Sequence, residues 1–242
     1  MVASRAAGVL ARIEKARASI PPTGESMTDN PFDNLAARYD AWFDSLKGQA
    51  VFPLEVECVR RVAEHAPRPW LEVGVGTGRF AEALGIDEGI DPSEAVLALA
   101  ADRGLRTRLG RAEALPYPDS AFGCAFLIVT FCFLDDPAKA LHECARVLAK
   151  DGSLIVGLVP ADSPWGKLYA HKASEGHPFY KVAKFYTCDE AIQLAQQAGL
   201  GLDEAASCLL TPPDIFVPGS EAPKQGIVKD AGFVAVRFTL SE

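Results

Sequence analysis

The chain has 242 residues, enough for one α/β domain with appendages and a sizeable core. Hydrophobic residues make up 49% and charged residues 23%, ordinary globular values that exclude a disordered tail, a collagen-like rod or a coiled coil as the main body. Lys and Arg total 24 against 32 Asp and Glu, a formal net charge of −8, and no basic stripe relieves it, so nucleic acid is not an expected partner.

In chain order, residues 1–26 contain no aromatic side chain. Their first twenty positions carry Arg5, Arg12, Lys15 and Arg17 against Glu14. The apolar run Ala6–Ala11 is too short for a signal-peptide core, while a basic, acid-poor stretch also suits a transit peptide. The plainest reading is a poorly ordered, dispensable extension, with a single domain spanning 27–242. Apolar positions Leu35, Tyr39, Trp42, Phe43, Leu46 and then Val56, Val59, Val62, Ala63 recur at three- and four-residue steps, predicting two helices that form an N-terminal cap over about 32–66. Trp70–Val75 is a short strand feeding a glycine cluster. Strand-like and helical segments then alternate: a strand ending at Asp91, a helix over 93–103, a strand over 105–109, a buried strand over 121–130, a helix over 137–148 and another buried strand over 153–159. Continuous apolar strands imply helices on both sheet faces, hence a mostly parallel, doubly wound α/β domain. Residues 160–186 read as an aromatic insertion. A helix over 189–198 resumes the pattern, and two last strands near 202–210 and 233–240, with no helix between them, predict an antiparallel pair at the sheet edge.

Six cysteines are scattered without a Cys-x-x-Cys pair, which suits a reducing compartment, and a cytoplasmic protein is expected. The longest apolar stretch, Cys124–Leu134, falls well short of the roughly 20 residues needed to cross a bilayer, so no membrane span is expected. His142 and Cys144 lack zinc-ligand spacing, and no metal site is expected.

The segment Glu72-Val73-Gly74-Val75-Gly76-Thr77-Gly78-Arg79 places three glycines after a strand and before a helix, where missing side chains let a ligand approach the backbone. The dinucleotide pattern would need a further glycine where Arg79 stands, which weighs against a nicotinamide-dependent oxidoreductase. Asp91, at the end of the second strand, is placed to accept hydrogen bonds from both hydroxyls of a ribose, with Pro92 turning the chain into the next helix.

Taken with Gly89-Ile90-Asp91-Pro92-Ser93, Gly110-Arg111-Ala112-Glu113-Ala114-Leu115-Pro116-Tyr117 and Arg146-Val147-Leu148, this turn resembles the class I S-adenosylmethionine-dependent methyltransferases, in particular their UbiE-like small-molecule group. The resemblance implies a Rossmann-like, seven-stranded sheet with the last strand antiparallel, S-adenosylmethionine as cofactor and a small-molecule acceptor. It further implies that Gly74, Gly76 and Gly78 pass the methionine part and that Glu72 holds the turn and the ligand amino group through water. Asp91 and Pro92 would meet the ribose, Ala112 and Glu113 the adenine, and Val129 and Thr130 the methionine end, with Tyr39 closing over the cofactor. Relatives often carry an acid where Arg111 stands, so adenine recognition here would lean on backbone and apolar packing. A second reading is a non-catalytic cofactor-binding module, prompted by Arg111 and by Cys132-Phe133 where many relatives have a histidine.

On the acceptor side, Trp165, Tyr169, Phe179, Tyr180 and Tyr186 would form a lid for an apolar or planar molecule, with His171 and His177 the nearest histidines and Trp42 in the core. Cys132, between Phe131 and Phe133, reads as an inert buried thiol.

Overall fold

A computed structural model describes residues 31–241. The extension over 1–26 lies outside the described residues.

Two helices lead, α1 (Pro31–Phe43) and α2 (Leu46–Ala63). Their corner is tight: Ser45 caps α2 by accepting from Gly48 N at 3.1 Å, and a Cβ on Gly48 would strike the Trp42 carbonyl. The alternating region follows as β1 (Trp70–Val73), α3 (Arg79–Leu84), β2 (Glu88–Asp91), α4 (Glu94–Asp102), β3 (Arg106–Leu109), β4 (Phe122–Ile128), α5 (Pro137–Val147) and β5 (Leu148–Leu158). Then come α6 (Pro164–Ser174), α7 (Cys188–Gln197), β6 (Leu200–Cys208), β7 (Lys224–Gln225) and β8 (Phe233–Leu240).

The strands form one sheet in the order β3-β2-β1-β4-β5-β8-β6-β7. Strands β1 to β5 pair in parallel, and β8 runs antiparallel between β5 and β6. This is the expected Rossmann-like sheet with an antiparallel last strand. It has eight strands rather than seven, because Lys224 and Gln225 pair with Ser207 and Ala206 and add a short edge.

The near-continuous apolar run of β4 has a direct cause. Ala125 and Leu127 join the core on one sheet face, under α5 and α7, while Cys124, Phe126 and Ile128 join the core on the other, under α2, α3 and α6. The aromatic insertion over 160–186 contains a helix: Ser163 accepts from Gly166 N at 2.9 Å and starts the eleven-residue α6. No helix among the described residues is long and apolar enough to cross a membrane. From β1 the chain proceeds to β2 and β3 on one side, then crosses back to β4, leaving a crevice outside the carboxyl ends of β1 and β4.

Candidate functional site

The crevice is built by the glycine turn. Gly74 has φ +76°, and the amides of Gly74 and Val75 both donate to the Ile90 carbonyl (2.8 and 3.0 Å), tying the turn to β2. The space a Cβ would need at Gly74 is filled by Thr130, whose hydroxyl donates to the Gly74 carbonyl at 3.0 Å. Gly76 N donates to Asp91 Oδ2 and Ser93 N donates to Asp91 Oδ1, each at 2.9 Å, so both oxygens are oriented from the backbone. Burial pushes the Asp91 carboxyl up to about 6 against these two amides.

A cavity of about 390 Å³ lies over this turn, and it brings together Tyr39, Glu72, Gly74, Gly76, Asp91, Pro92, Ala112, Glu113, Val129 and Thr130. Gly78 is the exception. It stands at the N-terminus of α3 with φ +82°, where a Cβ would press on Ala100 and Leu105, so it sets helix packing behind the turn instead of lining the cavity. The close-packing job expected at the Arg79 position is therefore done one residue earlier.

Glu72 is buried, its Oε2 has no hydrogen-bond partner among the described residues, and burial, then the neighbouring Asp91, holds its carboxyl far above the usual range. Glu113 is engaged with protein: Oε1 accepts from the amides of Asp135 and Asp136 at 3.1 and 3.4 Å. Arg111 pairs with Glu113 and Asp135 on the rim of the cavity, half exposed. Val129 adopts φ +52°, an uncommon conformation for a β-branched residue, at the tip of β4.

Arg79, the residue that breaks the dinucleotide pattern, has a role of its own. Its guanidinium donates to Asp40 Oδ1 and Oδ2, both at 2.9 Å, and Arg103 donates to the same two oxygens at 2.9 and 3.0 Å. Burial raises the Asp40 carboxyl, but hydrogen bonds from the two arginines outweigh it and hold it below the usual carboxylate range. This latch clamps α1 over the turn, and sequence spacing gave no sign of it.

Tyr39 is carried by the clamped helix. Its ring meets Phe32 at 5.4 Å and both Phe43 and Phe179 at 5.6 Å, and burial, then Tyr180, Glu55 and Glu72, push its phenol well up. Beyond Tyr39 lies a second cavity of about 410 Å³, which shares Tyr39, Phe43, Phe80, Val129 and Phe133 with the first. Tyr169, Phe179, Tyr180 and Tyr186 of the expected lid line it. Trp165 does not: it is fully buried, with Nε1 donating to the Thr211 carbonyl at 2.9 Å, because the N-terminal turn of α6 faces the sheet. Trp42, expected in the core, is half-buried on the cavity wall. His177 lines the cavity and stacks on Tyr180 at 4.4 Å, whereas His171 sits exposed on α6 beside Glu175. Burial pushes the Cys132 thiol up to about 12, which keeps it protonated and inert.

One lining residue was missed at the level of sequence. Glu55 lies on the buried stripe of α2 between Val51 and Val59, is 6% exposed, and faces this cavity with its carboxyl pushed up to about 8 by burial. A charge on an otherwise apolar helical stripe was the available signal.

The orphaned Glu72 oxygen, the space left open at Gly76 and the backbone-oriented Asp91 suit a ligand with an amino group and a ribose, as S-adenosylmethionine has. A doubly wound sheet, parallel from β1 to β5 with an antiparallel last strand, and this site at its carboxyl edge have the form of the class I S-adenosylmethionine-dependent methyltransferases. Comparison with known proteins agrees. Residues 71–156 match the family model described as "Methyltransferase domain". A solved Thermotoga maritima structure described as a SAM-dependent methyltransferase, "possible histamine N-methyltransferase", superposes with a TM-score of 0.77 at 35% identity, covering 86% of this chain and 97% of that one. A Thermus thermophilus demethylmenaquinone methyltransferase is 35% identical over 137 residues, 52% of this chain and 62% of its own. An uncharacterized Mycobacterium tuberculosis protein is 41% identical over 201 residues, 83% of this chain and 70% of its own. The chain belongs to the class I S-adenosylmethionine-dependent methyltransferases and takes S-adenosylmethionine as cofactor. The nicotinamide reading is thereby set aside.

Proposed function

We propose that the enzyme methylates a small molecule with a planar or apolar body, bound in the aromatic cavity. The observation that carries this reading is the shared wall: Tyr39 and Val129 border both the glycine-turn cavity and the aromatic one, so an acceptor in the second would abut a ligand in the first. Small-molecule acceptors also appear in the names of the relatives, a possible histamine N-methyltransferase and a demethylmenaquinone methyltransferase.

S-adenosylmethionine supplies, when bound, a methyl group already activated on a sulfonium. The chain's own task is placement, which contributes on the order of 7 to 11 kcal/mol when a nucleophile is held in line. In this reading Glu72 meets the amino group, Gly76 leaves room for the methionine chain while Gly74 packs against Thr130 beside it, and Asp91 with Pro92 holds the ribose. Ala112 and Glu113 flank the adenine, with the Glu113 carboxylate fixing the loop at 135–136 more than the ring. Val129 and Thr130 border the methionine end, and Gly78 positions α3. Tyr39, Phe43 and Phe133, which line both cavities, make the junction between them apolar. Residues 27–242 are read as one methyltransferase domain, and the free cysteines suit work in the cytoplasm.

The test is formation of S-adenosylhomocysteine by the full chain with panels of small aromatic amines, phenols and quinols, and with protein and nucleic acid substrates in parallel. Turnover with small molecules alone is expected. Methylation of protein or nucleic acid only would overturn the reading.

A further inference from the structure

The aromatic cavity contains one acidic side chain, and its setting is unusual. Glu55 is more than nine-tenths buried, yet among the described residues its carboxylate makes no hydrogen bond and no ion pair, while it faces the cavity. A buried carboxyl with no partner stays protonated at neutral pH, and a cationic ligand beside it would favour its ionised form and release the proton to solvent. The cavity that it faces is lined largely by aromatic side chains. Tyr39 from α1, Tyr169 from α6 and Tyr180 from the turn at 180–182 lie within electrostatic reach of it, and Trp42 and Phe185 are among the other rings that line the cavity. On the sheet side Cys208 feels it as well, with the neighbouring Cys58 thiol. The cavity's cations, Arg38 and Lys172, act on His177 and pair with neither Glu55 oxygen. A carboxyl in a largely aromatic cavity, paired with no cation among the described residues, is the chemistry that binds an organic ammonium.

We propose that Glu55 selects a protonated amine as the acceptor and takes from it the proton that masks the nucleophilic lone pair. This rests on the small-molecule reading of the same cavity and narrows it to amines over quinols. Binding of the ammonium first displaces the Glu55 proton to solvent and leaves an ion pair; in the step that follows, one N–H bond of the ammonium breaks and an O–H bond forms at Glu55 Oε. The N–H electron pair stays on nitrogen as the lone pair needed for methylation, and the ion pair becomes a neutral amine beside a neutral acid. Burial pushes the Glu55 carboxyl up to about 8, which narrows the gap to an alkylammonium near about 10 and makes the transfer feasible.

The experiment measures binding without turnover. Full-length protein saturated with S-adenosylhomocysteine is titrated calorimetrically at pH 7 with three matched pairs, the 2-ethylamine and the 2-ethanol of phenyl, indolyl and imidazolyl rings. At least one amine is expected to bind about tenfold or more tightly than its alcohol, and Glu55→Gln to reduce that preference to within about twofold while leaving S-adenosylhomocysteine affinity unchanged. Glu55→Met serves as a second variant should Gln disturb folding, and carbon-13 titration of the Glu55 carboxyl should show it ionising when the amine binds. Equal binding within every pair, binding by none of the amines, or a preference that survives in the variants would overturn the proposal. Failure of S-adenosylhomocysteine itself to bind would instead strike the cofactor site, and turnover of neutral acceptors alone would remove the role of Glu55 while leaving the small-molecule reading intact.

Discussion

Replacing Asp40 by Ala asks what holds the capping helix over the cofactor site. Asp40, Arg79 and Arg103 are 18%, 20% and 16% exposed, between a surface pair, worth about 0.2 to 1 kcal/mol, and a buried one, where losing a partner costs about 3 to 5 kcal/mol. The arginines are not stranded by the change. Arg79 keeps Asp44 at 2.9 Å, and Arg103 keeps Glu82 at 3.1 Å and the Thr77 carbonyl at 2.9 Å. An intermediate cost of about 2 kcal/mol follows, and at 1.4 kcal/mol per factor of ten it corresponds to about 30-fold weaker S-adenosylhomocysteine binding if closure of α1 bears all of it. The ring contacts of Tyr39 with Phe32, Phe43 and Phe179 remain and oppose full release. Calorimetry gives the affinity, and amide hydrogen exchange should show faster exchange confined to 31–43. Affinity within about twofold of wild type together with unchanged exchange in α1 would refute the latch and leave the aromatic contacts as the sole fastening.

Two further expectations concern the glycine turn and its carboxylate. Ribose hydroxyls donate to the ionised form of Asp91, whose carboxyl sits at about 6 before ligand binds, so S-adenosylhomocysteine affinity should be flat above that pH and fall about tenfold by pH 5, with the step absent in Asp91→Asn. A wild-type affinity that does not change between pH 8 and 5 would contradict the ribose assignment. Gly74→Ala should destabilise the protein more than Gly176→Ala in urea unfolding, because both glycines have positive φ but only Gly74 has a side chain, Thr130, in the space a Cβ would take. The Gly176 change should cost about 1 kcal/mol and the Gly74 change about 2 kcal/mol more, and equal losses would show that Thr130 yields freely.

The alternating segments, the fully buried β4 and the carboxylate at the end of β2 were legible in the sequence because each follows from local causes: periodicity of burial, missing side chains and a helix start. The glycine-turn residues came together at one cavity for the same reason, since the parallel topology brings consecutive strand ends to one edge. Long-range pairing was decided only in three dimensions. Arg79 reads as a defect in a glycine motif until Asp40, 39 positions earlier, is seen against it. Trp165 and Tyr169 share one helix, yet only Tyr169 reaches the cavity, and composition carries no record of which way a helix faces. Glu55 shows the limit most plainly. Its place on an apolar stripe is written in the sequence, but whether such a carboxyl meets a buried partner or an open cavity depends on what the other elements bring to it, and here they bring a largely aromatic cavity whose cations do not pair with it.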